Sequence, residues 1–339
     1  MNPDHKASQP AKQDRSGGQT LPGSDTQPAS QARRCPEFRQ SHWDGHLAGH
    51  VAAAAAGWLA EDLGNECDWT SIGLSGPGGR SELRVVARKS GVIAGLPAAA
   101  AVAAVADPAL EFRPLVADGS LVEAASTVAM LIGPTRSVLA AERVVLNLVG
   151  RLSGIATTVR RLVDAVAGTN CRVYDTRKTV PGWRLLDKYA VRMGGGWNHR
   201  MGLFDAILIK DNHLAALAAT GIGPAAAVSR AREFVFRTFP PARAEQMVVE
   251  IEIDSCDDLE SVLRAGPDVV LLDNMDPAEL ARCVVVRDRV AAHVVLEASG
   301  GIRPDTVAAI AATGVNRVST GWPTHDSPWL DVALDWDPA

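Results

Sequence analysis

MVVEIEIDSCDDLESVLRAGPDVVLLD, residues 247–273, decides the fold: two short, strongly apolar runs flank a polar segment of helical character. Runs as short as MVVEIEI and DVVLLD suit strands buried on both faces, and residues 257–264 between them suit a helix. Strand, helix and strand in that order form the repeating unit of a parallel sheet. The same rhythm continues outward. Further strands are predicted at 172–175, 206–210, 293–299 and 317–320, with helices at 183–193, 224–236, 277–284 and 304–312. Pro224, Pro277 and Pro304 open three of those helices, where a missing backbone N–H costs nothing.

Polar residues close these strands: Asp175 to Lys178, Lys210, Glu252, Asp273, Ser299 and Thr320. In a closed βα barrel all strand carboxyl ends meet at one mouth, so these side chains would share a pocket. An open doubly wound sheet would spread them along an edge. Convergence favours the barrel; six clear strands instead of eight mean that either strands are missed or the barrel is incomplete.

A chain of 339 residues with 47% hydrophobic residues exceeds what one core usually organises. Residues 1–40 are expected to be a disordered extension, because up to about Arg34 they are rich in Gln, Ser, Pro and Gly and lack aromatic residues. A helix follows at 42–63, with Asp44 as N-cap and Gly64 at its end. Residues 82–119 mix short apolar runs with an alanine-rich helix at 97–106, an α+β pattern. The first folded unit is assigned to 41–148, an α/β sandwich completed by 326–339, and the barrel to 149–325. A long helix over 138–167, broken near Gly154, joins them.

The net charge of -5 argues against a nucleic-acid or anionic-membrane surface. No apolar run approaches the ~20 residues that span a bilayer, and the amino terminus is too polar for a signal peptide. Cys35, Cys67, Cys171, Cys256 and Cys283 are scattered without zinc spacing, which fits a reduced, cytoplasmic setting.

Within this acidic chain, residues 172–210 carry eight basic against three acidic side chains. Arg184, Lys188 and Arg192 stand at helical spacing and read best as a solvated helix face. Arg177, Lys178 and Lys210 stand at strand ends and point into the mouth. Arginine forks and a lysine ammonium there suit a small polyanion. Gly194-Gly195-Gly196 lets backbone approach a ligand before Asn198, His199 and Arg200. A structural histidine is the competing reading for His199, helix capping the competing reading for Asp211 and Asn212, and for His213 a functional and a structural role are equally weighted. Glu252 and Asp273 close apolar strands, where an acid is costly unless paired with cations or metal; such oxygen donors suit Mg²⁺. Glu250 lies on the same face but deeper, so Glu252 is preferred. The loops Ser299-Gly300-Gly301 and Thr320-Gly321 follow the last strands, where barrels bind phosphate at glycine loops and helix amino ends.

Several motifs together resemble the nicotinate-nucleotide pyrophosphorylase, or quinolinate phosphoribosyltransferase, family. They are Leu152 to Thr157, Thr176-Arg177-Lys178-Thr179 with Pro181-Gly182, Lys188-Tyr189-Ala190-Val191, the glycine run with Asn198-His199-Arg200, Ile209 to His213, Leu272-Asp273-Asn274, Glu297 to Gly301 and Ser319 to Gly321. The resemblance implies a sandwich plus incomplete barrel, arranged as a homodimer in which one subunit's sandwich covers the other's mouth, with higher oligomers open. It implies that quinolinate and phosphoribosyl pyrophosphate, with Mg²⁺, give nicotinate mononucleotide, pyrophosphate and carbon dioxide. It implies that Thr176, Arg177, Lys178, His199, Arg200 and Lys210 hold quinolinate, with Arg143 donated across the dimer. Glu252 and Asp273 would face the ribose and Mg²⁺, directly or through water; Lys178 would lie between the substrates; Ser299, Gly300, Gly301, Thr320 and Gly321 would take the 5′-phosphate. By the same resemblance Lys178, Glu252 and Asp273 are the catalytic candidates.

The chain departs from the family pattern at Asn65-Glu66-Cys67-Asp68 and at Ala124-Ala125, where glycine is expected. A molybdenum-transport-associated paralogue with the same barrel and a non-catalytic phosphate-binding barrel are the alternatives. Lys188-Tyr189 and Lys210 to His213 favour the quinolinate enzyme over the first, and the two acids favour it over the second.

Overall fold

The computed structural model of the protein describes residues 35–336. Its core is a six-stranded, all-parallel sheet in the order Arg172–Tyr174, Arg317–Ser319, Val295–Ser299, Val269–Asp273, Val249–Ile253, Ile207–Ile209. From the second strand onward each one neighbours its successor, and the last returns to lie beside the first. Such an order needs a sheet that curls almost closed, with one open seam between the first and second strands. All six predicted strands are present, each within a few residues of its expected bounds.

The glycine run lies along that seam. Trp197 bridges in parallel to Tyr174, donating its N–H to Val173 O at 2.8 Å while its own carbonyl accepts from Asp175 N at 3.0 Å. A missing strand is thereby replaced by irregular backbone, and its end, Asn198 to Arg200, is delivered to the barrel interior.

A second sheet is antiparallel, ordered Val332–Trp336, Arg80–Ala87, Thr127–Pro134, Glu111–Pro114, and covered by the helices Gly45–Leu63 and Leu96–Ala106. Asp44 caps the first helix by accepting from Leu47 N at 2.9 Å. The chain's final strand thus pairs with the strand Arg80–Ala87, 245 residues or more earlier in sequence. Ala125 holds a left-handed φ of 66°, a conformation that favours glycine.

The helix Thr135–Ala165 connects the two cores, contributing Val138 to Val159 to one and Leu162 to the other. It is continuous, so the predicted break at Gly154 is corrected. A Cβ at Gly154 would stand 2.3 Å from Pro328 O and 2.9 Å from Trp329 Cα. Glycine is needed there because another chain segment crosses the helix at backbone contact.

The helix Asp211–Ala218, the competing reading at Asp211 and Asn212, and the helix Pro241–Gln246, which the sequence did not suggest, follow barrel strand two. Of the expected extension, residues 1–34 lie outside the described residues. Residues 35–40 are ordered against the barrel, and Phe38 is 3% exposed. Among the described residues no helix is long and apolar enough to cross a membrane.

Candidate active site

A cavity of about 560 Å³ opens at the carboxyl ends of the barrel strands. Thr176, Arg177, Lys178, His199, Arg200, Lys210, Glu252, Asp273, Ser299, Gly300 and Gly301 all line it, joined by Asn274 and Ser319 from the motifs and by Leu208 and Leu271, which the sequence did not single out. Glu250 does not line it. A groove of equal volume elsewhere is bordered by Leu59, Leu63, Ile72 and Val105, and its one arginine, Arg136, is spent on the carbonyls of Ile72 and Ser75. The mouth pairs its cavity with four cations, Arg177, Lys178, Arg200 and Lys210.

Its walls divide by charge. Arg177, Arg200 and Lys210 form one side, and the Arg200 guanidinium makes a single hydrogen bond among the described residues, 3.5 Å to Ala206 O. Burial, reinforced by Arg177 nearby, lowers the basicity of Arg200, so an anion between the two cations is favoured. Lys210 Nζ stands 2.5 Å from Glu252 Oε2. Asp273 accepts from Asn274 Nδ2 at 2.7 Å.

The opposite side is backbone. Gly300 and Gly301 have φ of 95° and 61°, and a Cβ on Gly300 would lie 2.0 Å from Asn274 Oδ1. The following helix, Val307–Ala311, has five residues, so loop N–H groups and not a long helix dipole make this cradle. Thr320 is buried and donates to Ile302 O at 3.0 Å, and a Cβ on Gly321 would stand 3.0 Å from Lys178 Cδ. These two support the cradle from behind.

One layer below lies a buried polar network. Lys188, expected on a solvated helix face, has 0% exposure and is bonded to Asp175 and to His199 O at 2.8 Å. Burial lowers the Lys188 ammonium and raises the Asp175 carboxyl, each opposed by the other's charge. Asp175 also accepts from His199 N at 2.8 Å and Asn198 Nδ2 at 2.7 Å. Asp175 therefore fixes the His199 backbone in addition to its lysine.

His199 Nδ1 accepts from Arg200 N at 2.8 Å, which leaves the ring proton on Nε2. That nitrogen faces Glu250 at 3.2 Å and Glu297 at 3.5 Å, both fully buried. Among the described residues these three are the one group of metal-type side chains close enough to share an ion, but an Nε2 that carries the proton has no lone pair for a metal. Burial holds His199 down to about 4 and raises Glu250 to about 7; Glu297 is also raised, by burial and then by Glu250. His199 is therefore a neutral wall of the cavity.

Two further candidate residues lie outside the cavity. His213 Nδ1 accepts from Lys210 N at 2.9 Å, so His213 closes the start of the helix Asp211–Ala218, whose N-cap is Lys210 and not Asp211 or Asn212. Arg143 does not line the cavity: its side chain is 62% exposed on the connecting helix, 3.8 Å from Glu142.

Comparison with known proteins is consistent along the chain. Residues 68–153 match the family model described as quinolinate phosphoribosyl transferase, N-terminal domain, and residues 155–335 match the corresponding C-terminal domain. A Synechocystis protein named probable nicotinate-nucleotide pyrophosphorylase [carboxylating] is 40% identical over 82% of this chain and 89% of its own length. A Mycobacterium leprae protein named nicotinate-nucleotide pyrophosphorylase [carboxylating] is 39% identical over 82% of this chain and 94% of its own. Among solved structures, the nicotinate-nucleotide pyrophosphorylase from Francisella tularensis superposes with a TM-score of 0.78 at 33% identity, covering 89% of this chain and all of that one.

Proposed function

The chain belongs to the quinolinate phosphoribosyltransferase family, and from that premise we infer that its barrel mouth transfers phosphoribose from phosphoribosyl pyrophosphate to quinolinate, with loss of carbon dioxide. The reaction is a step of de novo pyridine-nucleotide synthesis. The observation that carries this reading is one cavity lined by two sets of groups, the cations Arg177, Lys178, Arg200 and Lys210 and the acids Glu252 and Asp273 with the Ser299 to Gly301 loop. A flat dicarboxylate needs the first, and a phosphorylated sugar needs the second.

On this reading Arg177, Arg200 and Lys210 take the two quinolinate carboxylates, beside Thr176 and the neutral ring of His199. Lys178 lies between the substrates. Ser299, Gly300 and Gly301, backed by Thr320 and Gly321, take the 5′-phosphate. The quinolinate nitrogen attacks the anomeric carbon as the bond to pyrophosphate breaks, and Glu252 and Asp273 stabilise the positive charge that develops on the ribose. The bond to the 2-carboxylate then breaks, its electron pair remains beside the pyridinium nitrogen, carbon dioxide leaves, and a solvent proton fills the carbon. No protein nucleophile is required; the side chains orient two anions that would otherwise repel.

Glu252 and Asp273 fit Mg²⁺ as hard oxygen donors, and two carboxylates without a third leave its remaining positions to substrate oxygens and water. When bound, the ion neutralises the leaving pyrophosphate. We further infer a homodimer in which Arg143 of a second copy reaches this mouth, supported by the exposure of its side chain. Five free cysteines support a cytoplasmic setting.

The test is direct. Protein, Mg²⁺, phosphoribosyl pyrophosphate and quinolinate should give nicotinate mononucleotide, and nicotinate in place of quinolinate should not. Product from nicotinate alone, or no product, rejects the reading.

A further inference from the structure

Both family models begin after residue 67, yet the segment 35–41 is ordered and touches the residues that shape the cation wall. Its Phe38 ring stacks on His199, centroids 4.3 Å apart and planes inclined by 26°. Its Gln40 side chain pairs with the main chain of Asn198 on both sides, accepting from Asn198 N at 2.9 Å and donating to Asn198 O at 3.0 Å. Ser41 N donates to Asn198 Oδ1 at 2.7 Å. Arg39 meets Asp205 at 3.1 Å, and Asp205 accepts from Met201 N at 2.8 Å. The segment therefore grips both sides of the pair His199-Arg200.

We propose that the segment 35–41 is a working part of the dicarboxylate pocket, with Phe38 a positioning residue that sets the His199 ring and, through it, the aim of Arg200. The inference rests on the quinolinate reading above. Both ring nitrogens of His199 face protein, Nδ1 the Arg200 amide and Nε2 the two buried glutamates, while Phe38 covers one face. The ring thus transmits orientation and not charge. Its Nδ1 fixes the Arg200 backbone, whose guanidinium has only the long contact to Ala206 O to hold it. Without Phe38 the ring gains a rotational degree of freedom on its stacked face, and Arg200 loses its fixed origin. On the sugar-phosphate side the segment reaches only the start of a strand, with Phe38 under the Arg317 guanidinium at 5.4 Å, and not the loops after Ser299 and Ser319 themselves.

The experiment compares the full chain with its Phe38→Ala and Phe38→Leu variants, the second keeping most of the buried bulk without the aromatic face. Expected for Phe38→Ala is a rise of about tenfold in KM for quinolinate, with KM for phosphoribosyl pyrophosphate within about twofold. Phe38→Leu should show the same split at roughly threefold, with an unchanged melting temperature. Equal changes in both KM values, or none, would overturn the proposal; if Phe38→Ala does not fold, Phe38→Leu decides alone. Calorimetric binding of quinolinate without the second substrate reads the same effect independently of turnover. Wild-type protein that binds quinolinate but makes no product refutes the catalytic reading only, and equal binding by wild type and variants refutes this one. No binding by wild type refutes both.

Discussion

At the mouth of the barrel Lys210 meets Glu252 with 43% of the lysine side chain exposed, whereas one layer down Lys188 is bonded to Asp175 with neither exposed at all. Both are lysine-carboxylate pairs on the same barrel, but their surroundings give them opposite roles. Water screens the upper pair, so separating it costs little and both partners remain available to substrate. The lower pair has left water behind, and removing one member strands a charge in the interior. Mouth charges are thus free to exchange partners, while the layer below is spent on holding Asn198, His199 and Arg200 in place.

Three measurements would break or sharpen that contrast. The largest effect is expected for Arg177→Ala in the upper layer: kcat/KM for quinolinate should fall by about 10³-fold or more, on the order of 4 kcal/mol, with an unchanged melting curve. Loss of stability in step with activity would place Arg177 with the lower layer. Next, Lys188→Ala should cost roughly 3 kcal/mol in denaturant unfolding, because Asp175 then lies buried without its cation; a variant as stable as wild type would mean that water reaches Asp175.

The smallest effect is acid sensitivity. His199 titrates at about 4 in the fold against 6.5 ordinarily, so the unfolded chain takes up its proton first as pH falls. Its contribution to stability is complete above about 6.5 and is lost between 6.5 and 4. Glu250, raised to about 7 from 4.5, acts with the opposite sign, stabilising at low pH and losing that contribution as pH rises through the same region. The two shifts are equal in size, 6.5 to about 4 against 4.5 to about 7, so the two contributions cancel and the net change in stability on acidification is close to zero. His199→Gln removes only the part lost in acid, so the variant should gain stability relative to wild type as pH falls from about 7 to 4, and an unaltered pH dependence would show that His199 is not buried neutral.

Most of the mouth was legible because strand periodicity and strand-end position together say where a side chain points. Arg177, Lys210, Glu252, Asp273 and the glycines of 300–301 all close apolar runs, and the barrel brings them to one cavity. The lower layer was not legible for the same reason. Lys188 sits at helical spacing with Arg184 and Arg192, a pattern identical to that of a solvated face, and only the packing of its helix over Asp175 makes it interior. Glu250 and Glu297 differ from neighbouring strand acids only in depth. Phe38 carried a usable signal: it is the sole aromatic residue in the first forty, an apolar ring in a stretch otherwise without reason to fold.

The sequence by itself determined the βα rhythm, the six strands, the polar strand ends and the family, since each of these is written in local spacing. Only the tertiary structure decided the unbroken helix at Gly154, the burial of Lys188, the neutral state of His199 and the place of residues 35–41. Each of those depends on a segment far away in the chain, Pro328 against Gly154, Asp175 and His199 against Lys188, Phe38 against His199. Burial and hydrogen-bond geometry, which set the charge and orientation of these groups, exist only once such segments have met.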